Sequence, residues 1–403
     1  MQALETFPPD RDSACARLEA WIPQAGRHYA TRRNHDTGPG TRDGVSQLSP
    51  YLRHRILTEE EVLAAVLARH SRAGAQKFID EMFWRTYFKG FLEMRPTLWG
   101  AYWGELALAW DQVQTEAGLR ARWEAACRGE TGIDCFDAWA HALVETGYLH
   151  NHARMWFASI WLFTLKLPLA LGADFFLRHL CDGDPASNTL SWRWVGGLHT
   201  PGKTYLARVS NISKYTEGRF RPLHQLASEA PAVQGAPNPE RMAAPGSDRL
   251  DPARRSVLLL HEDDLSPGWM FDAGLAPLAS ATLDATRRLS ILEPAPHVGA
   301  FKRAALSDCV ARAASRLGQV TEGLKDAESI VAWARAAGAE QIVTSHPPVG
   351  PVADLLKGVT GLPVVRLLRP FDARAWPHAT AGFFKFKDRI PALLGEMSGI
   401  RAA

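Results

Sequence analysis

Residues 182–188 have the sequence Asp-Gly-Asp-Pro-Ala-Ser-Asn, and Trp192-Arg193-Trp194 follows them. Residues 147–155 (Gly-Tyr-Leu-His-Asn-His-Ala-Arg-Met) precede them across an apolar run. Taken separately, Asp-Gly-Asp is typical of a turn, the arginine of a solvated surface and the tryptophans of a core. Together they place an Arg, two Asp, an Asn and two Trp at fixed intervals. This combination is more specific than any of its parts, and it decides the expected fold.

The pattern resembles the flavin pocket of the photolyase/cryptochrome family. Residues 18–34, 44–52 and 81–85 follow the order of that family as well, so the resemblance covers roughly residues 10–220. It implies an α-helical FAD-binding domain of photolyase type in this part of the chain.

Composition indicates a globular protein of two domains. The chain has 403 residues and five scattered Cys without a Cys-x-x-Cys pair, which argues against a disulfide framework or a metal site. The N-terminus lacks the features of a signal peptide, so we expect a cytoplasmic protein without a membrane anchor. Residues 155–177 are apolar, but Lys166, Pro168 and Asp174 interrupt them, which predicts one buried core helix. A net charge of +3 means that DNA binding would need a local patch.

Helical signals dominate residues 1–221, the predicted helical domain. Thr58 and Glu61 form a capping-box pattern, and Ser49 before Pro50 predicts a helix cap. Residues 222–254 are rich in Pro, Ala, Gly and Ser and predict a linker.

Short apolar runs alternate with helical stretches in residues 255–403. The runs at 257–261, 289–292, 341–344 and 362–368, with a helix at 327–337, predict a Rossmann-like α/β domain with a parallel sheet. This half also resembles, more faintly, the α/β antenna-type domain of the family, most clearly at 257–262, 326–344 and 381–388. The family has that domain first, so the resemblance implies a circular permutation. The alternative is an unrelated doubly wound domain, and no dinucleotide or P-loop motif is present.

The family resemblance also implies a set of flavin-binding residues. Arg154 and Asp182 would pair beside the isoalloxazine, Asn188 would lie opposite N5, and Asp184 would hold ribityl or ribose hydroxyls. Backbone N–H groups near Val45, where the family usually has Thr, would meet the phosphates. The remaining members of the implied set are Tyr29, Ser46, Leu48, Ser49, Phe78, Arg85 and Asn151.

A second implied set lines a pocket for a cyclobutane pyrimidine dimer flipped out of DNA. Trp84 and Trp194 would stack on the bases, and Glu81 would hydrogen-bond one of them. Asn151 and Met155 complete the set. His150 and His152 are expected on the helix surface or as polar lining, and not as a catalytic or metal-binding pair.

Three departures from the family affect the expected activity. Trp192 matches the flavin-proximal Trp of the photoreduction chain, but Leu169 stands at the middle position, and Trp156, Trp161 or Trp110 are the possible detours. Arg208 lies in an altered version of a run that reaches a DNA phosphate. The helices after residue 220 are shortened, which favours weak or single-strand-selective DNA binding.

The resulting hypothesis is a monomeric, blue-light-driven lyase that repairs pyrimidine dimers in DNA with reduced FAD. A cryptochrome-like photoreceptor without repair is the alternative, and a flavin scaffold without a light role is a third. A second, antenna chromophore in the α/β domain remains open: a deazaflavin, a folate, a second flavin or none.

Overall fold

The computed structural model describes residues 2–397, so Met1 and residues 398–403, the end of the expected α/β domain, lie outside the described residues. The first part of the chain is helical. Its helices are α1 (Gln2–Thr6), α2 (Arg11–Trp21), α3 (Arg27–Arg32), α4 (Ser49–Arg53), α5 (Glu59–Arg69), α6 (Gln76–Glu93), α7 (Thr97–Thr115), α8 (Ala117–Arg128), α9 (Asp134–Thr146), α10 (Asn151–Ser159), α11 (Leu169–His179), α12 (Pro185–Val195) and α13 (Val209–Tyr215).

Side-chain caps explain where several of these helices begin. The predicted capping box at α5 is confirmed, since Thr58 Oγ1 accepts from the Glu61 N–H at 3.2 Å and the Glu61 carboxylate accepts from the Thr58 N–H at 2.8 Å. Asp184 caps α12, with its carboxylate accepting from the Ser187 N–H at 2.8 Å. The predicted cap at Ser49 is wrong by one position, because Ser49 is the first residue of α4 and Leu48 precedes it.

The expected single core helix over residues 155–177 is wrong. Helix α10 ends at Ser159, a π-helical turn covers Ile160–Thr164, and α11 begins at Leu169. Lys166 has a left-handed φ of 53°, and Pro168 has no N–H to continue a helical ladder. The segment is therefore two packed helices, and within residues 2–397 no helix is long and apolar enough to cross a membrane.

The segment between α13 and the sheet carries no helix or strand in the structure. It is nevertheless held against the helical part, because the Val233 N–H donates to Gly196 O at 2.9 Å and Arg193 Nη2 donates to Ala236 O at 2.8 Å. Further along, the Asp248 N–H donates to Arg366 O at 3.0 Å, which ties the segment to the sheet as well.

The rest of the chain forms a five-stranded, all-parallel sheet in the order β3-β2-β1-β4-β5, consistent with a Rossmann-like domain. In the register of the sheet, Leu258 lies opposite Ser280 on one neighbouring strand and opposite Val343 on the other. The strands are β1 (Ser256–His261), β2 (Ala279–Leu283), β3 (Gln319–Leu324), β4 (Gln341–Ser345) and β5 (Val364–Leu367). The helices are α14 (Gly268–Asp272), α15 (Pro296–Leu317), α16 (Ala327–Ala336), α17 (Pro351–Leu356), α18 (Pro370–Ala375), α19 (Phe383–Lys387) and α20 (Ile390–Gly395).

Three of the four predicted strands are confirmed as β1, β4 and β5. The strand expected at residues 289–292 is wrong, because this segment is a bend after a 3₁₀ turn at Thr286–Arg288. Strands β2 and β3 were missed. The first consists mainly of small and polar residues, and the second is a largely exposed edge strand, so neither forms an apolar run.

A buried ion-pair network joins the two parts where β1 ends. Arg53 Nη1 lies 2.5 Å from Asp263 Oδ1, and Arg55 Nη2 lies 2.7 Å from Asp372 Oδ1. Arg53 also donates through Nε to Gly183 O at 3.0 Å. The turn between α4 and α5 thereby fills the crevice beside β1, where the strand order reverses and doubly wound domains often bind ligands.

Candidate functional site

Most of the predicted flavin-binding residues lie on α3, α6, α10 and α12 or in the turn before α12, and the region between these helices is called the candidate cleft. Helix α6 packs against α12 and α3, and α10 packs against α12. Phe78, Glu81 and Arg85 share a face of α6, and Asn188 and Trp192 lie one turn apart on α12.

Arg154 and Asp182 form the expected ion pair. Arg154 Nη2 lies 2.7 Å from Asp182 Oδ2, and Arg154 Nε donates to Leu149 O at 3.0 Å. Burial alone would lower the pKa of Arg154, but the Asp182 carboxylate raises it above its ordinary value. Asp182 Oδ1 is buried and accepts no hydrogen bond from the protein, so it is free to accept one from a ligand.

Asp184 and Asn188 occupy the start of α12. Burial alone would raise the pKa of Asp184, but Lys89, Arg53 and Arg85 lower it, so the carboxylate stays ionised. Asn188 Nδ2 donates to Ala173 O at 2.8 Å, which holds the amide in one orientation. Asp184 Oδ1 faces Arg53 Nε at 3.7 Å, outside hydrogen-bonding distance.

Two cations on α6 have buried nitrogens without hydrogen-bond partners. These are Nε and Nη2 of Arg85 and Nζ of Lys89. Lys89 is 1% exposed, and burial, with Arg85 nearby, lowers its pKa to about 8. Lys89 was missed by the sequence analysis, although its position four residues after Arg85 could have indicated it.

An aromatic wall completes the cleft. The Tyr29 and Phe78 rings meet edge to face at 5.3 Å, and Trp21 meets Tyr29 at 5.8 Å. With unpartnered donors on α6 and an unpartnered acceptor at Asp182, the residues present fit FAD, which combines a flat ring system with ribityl oxygens and a pyrophosphate.

The loop before α4 has a tight approach at Gly44. A Cβ at this position would lie 2.8 Å from Arg32 O, a backbone atom that cannot rotate away. Further along the loop, Gln47 has a left-handed φ of 53°, and Ser46 Oγ accepts from the Leu48 N–H at 3.3 Å. The positions of Val45 and Ser49 therefore depend on Gly44.

Gly44→Ala is expected to weaken FAD binding about tenfold, the equivalent of roughly 1.4 kcal/mol, because the loop must move away from α3. Titration of the apoprotein with FAD, followed by flavin fluorescence, measures the change. Gly40→Ala is the matched control, since a Cβ there meets nothing within 4 Å. Equal affinity in the two variants would separate this loop from the cofactor site.

The residues predicted to line the lesion pocket, called the rim residues, lie on α6, α10 and α12. Glu81 accepts from Arg33 Nη1 at 2.6 Å, and burial raises the pKa of Glu81. Trp194 lies 5.6 Å from Tyr205, while Asn151 is exposed and Met155 half-buried.

Trp84 has one face already covered. Its ring stacks on Phe383 with centroids 3.8 Å apart and planes 12° apart. A base could therefore stack only on the other face of Trp84, a restriction that the sequence analysis did not foresee.

His150 and His152 are both buried, so the helix-surface expectation is wrong and they are interior polar groups. His152 Nδ1 donates to Asn34 O at 3.0 Å, and Nε2 lies 3.2 Å from Tyr205 Oη. Burial lowers the pKa of His150 to about 4. The residues that the structure describes contain no His/Cys/Asp/Glu group able to hold a metal ion.

Trp192 contacts the rings of Trp161 and Phe176, and the Phe176 ring is the nearer of the two at 5.2 Å. The distance from Trp192 to Trp161 bears on electron transfer. Their ring centroids lie 6.3 Å apart, edge to face, whereas Leu169 is the first residue of α11. Gly172 makes room for both rings, because a Cβ there would lie 2.3 Å from Trp192. Trp156 and Trp110 instead contact other tryptophans. The ring centroids of Trp156 and Trp139, for example, lie 5.4 Å apart.

Arg208 lines a groove of about 680 Å³ beside this rim. The groove also includes Tyr205 and Asn211, and residues 228–231 of the segment before the sheet form another wall. A phosphate of a bound strand could reach Arg208 there.

The ion pair, the unpartnered polar atoms and the aromatic wall define a helical cofactor-binding domain. Residues 78–219 match the family described as the FAD binding domain of DNA photolyase. This part of the chain is therefore an FAD-binding domain of DNA photolyase type, whose cofactor is FAD.

Similar proteins include two named deoxyribodipyrimidine photo-lyase. The one from Thermus thermophilus is 33% identical over 204 residues, which cover 50% of this chain and 46% of the relative. The one from Salmonella typhimurium is 28% identical over 235 residues, which cover 57% of this chain and 48% of the relative. The crystal structure of a Synechocystis cryptochrome has a TM-score of 0.44 at 22% identity, covering 52% of this chain and 43% of that one. The chain thus matches a little under half the length of these relatives.

Proposed function

We propose that this protein holds FAD in the cleft between α6, α10 and α12 and repairs cyclobutane pyrimidine dimers in DNA under blue light. The observation that carries the proposal is the Arg154–Asp182 ion pair with its unpartnered Asp182 Oδ1, in a domain that matches the FAD binding domain of DNA photolyase. When bound and reduced, FAD supplies a light-driven electron to the dimer and receives it back after the ring opens.

The residues of the cleft divide the binding of the cofactor among them. Asp182 Oδ1 accepts from a ring N–H, and the Asn188 amide is held near the ring edge. Arg85 and Lys89 offer donors to ribityl or phosphate oxygens, and ionised Asp184 balances them. The remaining part of the cofactor is enclosed by Tyr29, Phe78 and the loop with Val45, Ser46, Leu48 and Ser49.

The rim residues would hold the flipped lesion. Trp194 and the open face of Trp84 stack on the bases, and Met155 and Asn151 line the entrance. Glu81, whose pKa is raised, accepts a hydrogen bond from a base or donates one to it. Arg33 holds the Glu81 carboxyl group in place. Arg208 contacts a strand phosphate in the adjacent groove.

The α/β part is proposed to be the antenna-type domain of a circularly permuted chain. A second chromophore would find room in a cleft of about 630 Å³ between the ends of β2 and β3 and the start of α15, which Asp284, Arg288 and Arg303 line. A monomer in the cytoplasm remains our prediction.

A repair assay tests the proposed activity. FAD-loaded, chemically reduced protein is given an oligonucleotide with one thymine dimer, under blue light and in the dark. We expect dimers to disappear only in the light, and chemical reduction makes the result independent of the Trp192–Trp161 route. Trp161→Phe is the matched control, because it alters that route and leaves the rim intact.

Bound, light-sensitive flavin without any loss of dimers would contradict the lyase. That result would favour the photoreceptor, for which the covered face of Trp84 and Leu169 at the middle tryptophan position are the specific observations.

A further inference from the structure

An exposed aromatic and basic segment follows the sheet and contacts Trp84, one of the rim residues, through Phe383. It covers residues 382–389, Gly-Phe-Phe-Lys-Phe-Lys-Asp-Arg, and is called the C-terminal aromatic segment. Phe384 is 79% exposed, although burial of a phenylalanine is strongly favourable. Lys385 and Arg389 are exposed as well.

The segment is anchored to α6 at two points. Phe383 stacks on Trp84 and meets Tyr87 edge to face at 5.7 Å. Lys387 Nζ lies 2.6 Å from Asp80 Oδ2. These contacts hold the segment against α6, so the exposed side chains of Phe384 and Lys385 project from a packed base.

The charges around the segment favour an anionic partner. Asp80 and Glu81 are neutralised by Lys387 and Arg33, respectively. Lys77, Lys385 and Arg389 are exposed cations, and Asp388 is the exposed carboxylate within the segment. An exposed ring beside cations matches single-stranded nucleic acid, whose bases stack on aromatic side chains while basic groups follow the backbone.

We propose that the C-terminal aromatic segment is a single-strand contact, in which Phe384 stacks on an unpaired base and Lys385 meets a phosphate. This inference rests on the proposed function and deepens it, because it makes a segment that follows the α/β sheet part of the DNA-binding surface. It also gives Phe383 a positioning role, since its stack on Trp84 holds the segment at the rim.

Binding of dye-labelled oligothymidylate in the dark, measured by fluorescence anisotropy on the FAD-loaded full chain, tests the proposal. Phe384→Ala is expected to weaken binding about tenfold, within the range for loss of one base–aromatic stack, and Phe384→Trp to retain it. Leu108→Ala is the matched control, since Leu108 is a 68% exposed apolar side chain on α7. Melting curves and flavin content should not change in Phe384→Ala, Phe384→Trp or Leu108→Ala.

Salt dependence tests the phosphate contact separately. Lys385→Ala is expected to reduce the slope of log affinity against log salt by about 0.7, the value for one phosphate of a single strand. Lys325→Ala is the control, because this exposed lysine follows β3 at the opposite edge of the sheet from β5.

The possible outcomes separate the inference from the proposed function. Repair by the wild type with unchanged binding in Phe384→Ala would overturn the inference and leave the lyase standing. Oligonucleotide binding that depends on Phe384 without repair would support the inference and contradict the lyase. No binding of this undamaged oligonucleotide by the wild type would overturn the inference, and the repair assay would still decide the lyase.

Discussion

Arg154→Ala is expected to produce a folded protein that no longer retains FAD. The substitution leaves the Asp182 carboxylate, whose side chain is 3% exposed, without its cation and frees Leu149 O. Removing one partner of a buried pair typically costs about 3–5 kcal/mol, and the lower end applies because Arg154 is 24% exposed. This cost falls on folding stability. Because Asp182 also loses the cation that holds its carboxylate in place, we expect FAD affinity to fall separately by about a hundredfold, the equivalent of roughly 2.7 kcal/mol.

Absorbance of the flavin after gel filtration, relative to protein, measures retention for Arg154→Ala. Arg128→Ala is the matched control, because it removes an exposed arginine paired with Glu124 and Glu130 and should leave flavin content unchanged. Full flavin retention in Arg154→Ala would show that the cofactor does not depend on this pair.

Arg55→Leu is expected to cause the largest loss of stability. Arg55 contacts Asp372 at 2.7 Å, Glu59 at 3.1 Å and Asp264 at 3.8 Å, and all four side chains are at most 5% exposed. The substitution leaves three buried carboxylates short of a cation, which we expect to lower the free energy of unfolding by about 3–5 kcal/mol at pH 7. The free energy of unfolding of a natural domain is only about 5–15 kcal/mol in total. The helical part and the α/β part should therefore separate easily in this variant.

The effect of Arg55→Leu should depend on pH in a definite direction. Burial alone would raise the pKa of Glu59, but Arg55, with Arg85 and Lys89, lowers it to about 2. In the wild type, the stability from this depressed pKa is present above pH 4.5, the ordinary value of a glutamate, and is lost as pH falls toward 2. Without Arg55, burial dominates, so the difference between wild type and variant should shrink as pH falls below about 4.

Urea denaturation of both proteins at pH 7 and pH 3 measures these free energies. Arg374→Leu is the matched control, because its pair with Glu60 is 32% exposed on each side and contributes about 1 kcal/mol or less. A variant at Arg55 as stable as the wild type at pH 7 would mean that the network does not hold the two parts together.

Local signals in the sequence determined much of the architecture. The capping box at Thr58 and Glu61 acts on neighbouring backbone groups, so spacing alone predicts it. The apolar runs of β1, β4 and β5 are visible because a buried parallel strand needs apolar residues on both faces. The Arg154–Asp182 pair was foreseen because a family resemblance connects residues 28 positions apart.

Tertiary structure decided the features that join distant parts of the chain. Strands β2 and β3 form although their sequences are small or polar, because neighbouring strands supply their hydrogen bonds. The stack of Phe383 on Trp84 and the pair of Arg55 with Asp372, 317 positions apart, exist because the helices that follow β5 pack on α6 and reach the turn before α5. Periodicity and spacing describe only a residue's near neighbours, whereas the burial of Lys89 and the covered face of Trp84 depend on where a second domain lies.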